Sequence, residues 1–193
     1  MPQYEHSAQP TADNGHPAHA LWSVGRVLTL TRHDAVNAIA GGFGNLPHMP
    51  IKLENVGISV RDLDETIAFF TDLGLTVLGR DTVSGEWADT AVGVDGNEVK
   101  MAMLQTPDGN GRLELFEYIH PDAIETDPTR PNEIGMHRVA FSVDDIDAAL
   151  EIAARHGCHP LRGVATYADV YKLTYVRGPS GILVMLAQEL TTS

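Results

Sequence analysis

The 193-residue sequence predicts an α+β fold: two tandem βαβββ modules forming a curved, cup-shaped mixed β-sheet with helices on its outer face. Three observations carry that expectation. Residues 56–74, VGISVRDLDETIAFFTDLG, return without a gap as residues 139–157, VAFSVDDIDAALEIAARHG; position 139 answers position 56, an offset of 83. Each copy opens on period-two alternation and passes into a helical apolar stripe. Two Gly- and Pro-rich turns, PDGNG at 107–111 and RGPSG at 177–181, stand at matching places before a closing strand.

Taken in order, residues 1–20 are rich in Pro, His, Ala and polar residues without periodicity and read as a disordered leader. A short strand over 21–30 and a short helix over 34–40 follow, stopped by the glycines of GGFG at 41–44. Five histidines, His6, His16, His19, His33 and His48, fall in this extension at irregular spacing that defines no chelate. The compact fold is expected to begin at Met49-Pro50, leaving 1–48 as an N-terminal extension.

Module one occupies 49–120. Val56, Ile58 and Val60 fall on one side of its first strand and Asn55, Gly57 and Ser59 on the other. Asp62 is placed to cap a helix, with Glu65 at capping-box spacing. Ile67, Phe70 and Leu73 make the apolar stripe, and Gly74 sits where a left-handed cap is wanted. Strands are expected over 75–82, 98–105 and 112–118; the stretch 87–93 is ambiguous. A linker at 121–134 contains three prolines before Asn132. Module two, 135–193, repeats the order: a strand over 136–143, a helix over 146–156 capped by Asp145 and ended at Gly157, then strands over 158–164, 171–176 and 182–188.

The valine face of each first strand provides the apolar partner that its helix needs. The opposite face, lined by Asn, Ser, Gly and Arg, either curls around a ligand or is simply solvated; the pattern allows both.

Composition narrows the function classes. A net charge of −13, from 26 acidic and 13 basic residues, repels phosphate backbones and anionic membranes, so neither nucleic acid nor membrane is an expected partner. Cys158 alone cannot form an intramolecular disulfide or a Cys-rich zinc site, and a cytoplasmic setting fits. Phosphate-cradling glycine motifs, GxSxG and HExxH are all absent.

The stretches LENVGISVRDLDETIAFFTDLGL, RLELFEY, MHRVAFSVDDIDAAL and VRGPSGILVML resemble the vicinal oxygen chelate superfamily of glyoxalases, epimerases, extradiol dioxygenases and bleomycin-resistance proteins. The resemblance spans about 51–190. It implies a small-molecule pocket, a frequent homodimer, and a divalent metal held by residues on the first and last strands of both modules. Carried over by strand, those places are Asn55, Glu114, Arg138 and Met185. Only Glu114 is a good ligand for a hard divalent ion: a guanidinium has no electron pair to give, and a thioether suits soft metals. His137 is adjacent to Arg138, but alternation turns it to the other face.

The leading expectation is therefore a pocket without a metal cofactor that binds an anionic or oxygen-rich organic molecule, by binding alone or with a mild isomerase, lyase or cyclase reaction. Its anchors are Arg138 and Asn55, with Glu114 and Arg138 as candidate catalytic groups. Ser59, Met185, Trp87, Met103 and Tyr171 are further candidate ligand contacts; for Trp87, Met101, Met103, Tyr167, Tyr171 and Met185, core packing is the competing reading. Arg138 either binds a ligand oxygen or pairs with Glu114, and nearness to Arg138 should lower the Glu114 pKa. The rival is a divalent-metal enzyme with a rearranged ligand set including Glu114 and Asn55.

Overall fold

The computed structural model describes residues 52–135 and 138–190. The leader, the strand and helix expected before residue 41, the start at Met49-Pro50, and Met136 and His137 at the head of module two lie outside the described residues. Module one runs β1 (Val56–Ser59), α1 (Leu63–Asp72), β2 (Thr76–Ser84), α2 (Glu86–Val92), β3 (Glu98–Gln105) and β4 (Arg112–His120). Module two runs β5 (Arg138–Ser142), α3 (Ile146–Arg155), β6 (His159–Pro160), β7 (Ala165–Tyr167), β8 (Tyr171–Arg177), a 3₁₀ turn (Pro179–Gly181) and β9 (Leu183–Glu189). The sheets are ordered β1-β4-β3-β2 and β5-β9-β8-β6, and β7 pairs with β8. In each, the first strand lies parallel to the last, so the duplication extends from sequence to topology.

The helices start as their aspartates predict. Asp62 Oδ1 accepts the Glu65 amide at 2.8 Å, and Asp145 Oδ1 accepts the amides of Asp147 and Ala148. A second device is shared. The first helical amide of each module, Leu63 or Ile146, donates to a side chain on its own last strand, Glu117 at 2.8 Å or Gln188 at 3.1 Å. Each helix is thus fastened to its sheet as well as packed on it. Both closing glycines take positive φ, 109° at Gly74 and 69° at Gly157.

Helix α1 buries more than the expected stripe: Phe69 is as inaccessible as Phe70, both at 0% exposure. The reason is a second neighbour. Phe70 meets Phe141 of β5 with ring centroids 6.1 Å apart, while Phe69 packs edge-on against Phe70 and His156 and lies against Gly178 of module two. The buried residues of α3 in the same core are Ile146, Ala149 and Ala153. One core therefore serves both modules. His156 Nε2 closes it at the rim, 2.8 Å from Asp72 Oδ2.

Two stretches differ from expectation. The ambiguous segment 87–93 is helix α2, bracketed by Gly85 and a left-handed Gly93. It buries only Ala88, so it carries no apolar stripe to read. Asp89 anchors it by accepting the amides of Gly96 and Asn97. In module two, the strand expected over 158–164 shrinks to His159–Pro160, since proline cannot donate to a ladder; β7 supplies the remaining pairing in a hairpin with β8.

Phe70→Ala is expected to cost about 3–5 kcal/mol in urea unfolding, and both modules should unfold in a single transition because they share the core. Two separate transitions would contradict the shared-core arrangement.

Candidate functional site

On the face of the first sheet away from α1, Glu114 of β4 stands between Gly57 of β1 and Met103 of β3. Gly57 makes room here for the Phe116 ring, which a Cβ at this position would approach to 3.3 Å. The side-chain amide of Asn55, just before β1, stands near enough to the Glu114 carboxyl to influence its titration. Burial pushes the Glu114 pKa up and the Asn55 amide pulls it down; burial wins. The neighbouring cation on this face of β4, Arg112, is engaged by Glu54. The expected lowering by Arg138 is corrected: the carboxyl is partly desolvated and has no salt-bridge partner among the described residues.

The second sheet repeats this arrangement with different chemistry. Met185 of β9 stands between Ala140 of β5 and Tyr175 of β8, as Glu114 stands between Gly57 and Met103. Arg138 is the duplicate of Asn55. Met185 offers its side chain no carboxylate, and Arg138 instead lies over the Tyr175 ring, its Cζ 5.3 Å from the centroid. The alternative in which Arg138 pairs internally with Glu114 is not what forms.

Between β1 and β5 is a cavity of about 370 Å³ whose walls include Gly57, Ser59, Arg61, Arg138 and linker residues Thr126–Thr129. The linker is fixed there. Arg61 forks onto Glu125 through two 2.6 Å bonds, and Arg177 Nη1 donates to the carbonyls of Thr129 and Gly181 at 2.7 and 2.8 Å. Glu114 is one strand away, opposite Gly57.

Of the sequence candidates, Asn55, Glu114 and Met103 come together, Arg138 and Met185 sit one strand apart, and Ser59 and Arg138 share the cavity. Trp87, 59% exposed on α2, and Tyr171, 36% exposed at the start of β8, do not line it. Tyr175 was missed. The signal for it is the alternation of Tyr171, Leu173 and Tyr175 along β8, which puts all three on the Met185 side.

These residues do not suit a hard divalent ion at the four superfamily positions. One carboxylate and one amide oxygen can coordinate, whereas a guanidinium brings repulsion and a thioether prefers soft ions. Among the described residues, no group of three or more His, Cys, Asp or Glu gathers elsewhere. No helix among them is long and apolar enough to cross a membrane.

Comparison with known proteins agrees with this architecture. Residues 52–186 match the Glyoxalase/Bleomycin resistance protein/Dioxygenase superfamily. A relative from Actinomyces sp., named 2-epi-5-epi-valiolone epimerase, is 34% identical over 125 residues, 62% of this chain and 67% of that protein. A solved glyoxalase family protein from Bacillus cereus has a TM-score of 0.72 at 40% identity, over 75% of this chain and 98% of its own. A glyoxylase/bleomycin resistance protein/dioxygenase domain from Frankia sp., 21% identical with a TM-score of 0.53 over 73% of this chain and 93% of that one, shares the fold. With the duplicated topology, these matches establish that the chain belongs to the Glyoxalase/Bleomycin resistance protein/Dioxygenase superfamily.

Proposed function

We propose that this chain is an isomerase of the epimerase type, acting on a small oxygen-rich ketone with Glu114 as the proton-transferring base and no metal ion. The observation that carries the reading is a partly buried carboxylate on the open face of the sheet, beside the Asn55 amide and matched to no cation among the described residues. A carboxyl so placed is a stronger base than an exposed one. Glu114 takes the proton from the carbon beside the carbonyl, and the C–H electron pair moves into an enolate whose charge rests on oxygen. Solvent water on the face away from Glu114 returns a proton to the opposite side of that carbon, giving the epimer, and the protonated Glu114 loses its proton to the hydroxide so formed, with no oxidant or reductant. The Asn55 amide stays beside the carboxyl throughout. The Actinomyces relative's name, an epimerase of a valiolone, supports the same reaction class. Binding alone would give no reason to place a desolvated base on this face.

The test is deuterium exchange, followed by NMR in D₂O with 2-epi-5-epi-valiolone and 2-hydroxycyclohexanone as probes. Exchange beside the carbonyl is expected, falling roughly 100-fold or more in Glu114→Gln; an undiminished rate in that variant would refute the assignment. The rate should rise with pH through a midpoint above the ordinary glutamate range, since only the carboxylate accepts the proton. Stability should respond in the opposite sense. With the folded pKa raised, ionisation penalises the native state, so Glu114→Gln should melt higher than the wild type above that pKa and lose the advantage below about pH 4.

A further inference from the structure

We propose that Arg138, propped on the face of Tyr175, is a built-in cation that binds a planar oxyanion in the cavity between β1 and β5. Tyr175 is its positioning residue. The inference deepens the proton-transfer reading by naming the charged group the ligand must present: a carboxylate, or the enolate formed during the reaction.

The first argument is elimination among the arginines around the cavity. Arg61 is neutralised by its two-point contact with Glu125, and Arg177 spends donors on the Thr129 and Gly181 carbonyls. Arg138 has neither commitment: among the described residues no carboxylate lies within salt-bridge distance of it, and its observed partner is an aromatic ring. A ring face orients a guanidinium without neutralising it and leaves its edge N–H groups available to acceptors. The cavity's one acidic wall residue, Asp127, makes no ion pair with it either.

The second argument is the register. Arg138 is the module-two copy of Asn55, whose amide lies beside the Glu114 carboxyl of its own last strand. The equivalent acceptor has become Met185, so a guanidinium directed across this sheet finds Tyr175 one strand further on. Ser59, on the cavity wall with Arg138, adds a hydroxyl that can donate to the same ligand. In a chain of net charge −13, anions are repelled at long range, and an unneutralised guanidinium is what can hold one locally.

The test uses oxalate as a planar dianionic probe and oxamide as its neutral isostere, with calorimetry on full-length protein dialysed against a chelator so that no metal mediates binding. Oxalate should bind and oxamide should not. Arg138→Gln should weaken oxalate roughly ten-fold or more; Tyr175→Leu should weaken it roughly five-fold, with Tyr175→Phe restoring wild-type affinity because the ring face is kept. In the exchange assay, with rates normalised to the folded fraction, Tyr175→Leu should lower kcat more than it raises KM, as loss of a contact made to the enolate requires. Equal binding of oxalate and oxamide, absence of oxalate binding, or a Tyr175→Leu variant that melts like the wild type with unchanged oxalate affinity would overturn the proposal. Failure of the oxalate arm leaves the Glu114 assignment standing, and loss of that assignment leaves the oxalate arm intact.

Discussion

The wedge of Phe69 and Phe70 is the contact on which the rest of this molecule depends. Taken alone, a βαβββ unit of about 70 residues buries too little surface to be robust. Here one helix supplies two fully buried aromatic rings that reach Phe141, His156 and Gly178 of the other module. Those contacts draw the modules into one core. It also brings β1 and β5 to the same cavity, although no hydrogen-bonded ladder joins their sheets.

The duplicated topology then acts as a template that the side chains fill unequally. The same lattice position holds Glu114 in one half and Met185 in the other; its neighbours are Gly57 and Met103 in the first case, Ala140 and Tyr175 in the second. Fold and chemistry have separated. The residues that fasten helix to sheet keep their roles in both halves, as Asp62 with Asp145 and Glu117 with Gln188 show, whereas the positions facing away from the helices have diverged.

That separation explains what could be read from the sequence. Elements with a strong period and a polar cap, such as β1 with α1 and β5 with α3, were legible to within a residue or two, because burial of one face sets both pattern and boundary. Helix α2 was not, since it buries one alanine and owes its place to glycines and Asp89. Nor could local pattern show that Phe69 faces inward, because its partners are contributed by module two. At the candidate site, the positions that the resemblance implied, Asn55, Glu114, Arg138 and Met185, fall just before β1 and on β4, β5 and β9. The partner of Arg138 was missed: the nearby carboxylate suggested an ion pair, and the choice of Tyr175 depends on inter-strand register, which alternation does not fix.

The inequality of the two halves has a consequence for any molecule that settles between them. Two identical halves would offer a guest equivalent poses related by a half-turn, and a chiral compound could lie either way round. With Gly57 and Ser59 of β1 on one side, Glu114 one strand behind them, and the Arg138 guanidinium of β5 on the other, that degeneracy is lifted. A polar guest is sorted by its own dipole into one pose, and a scaffold born symmetric acquires handedness.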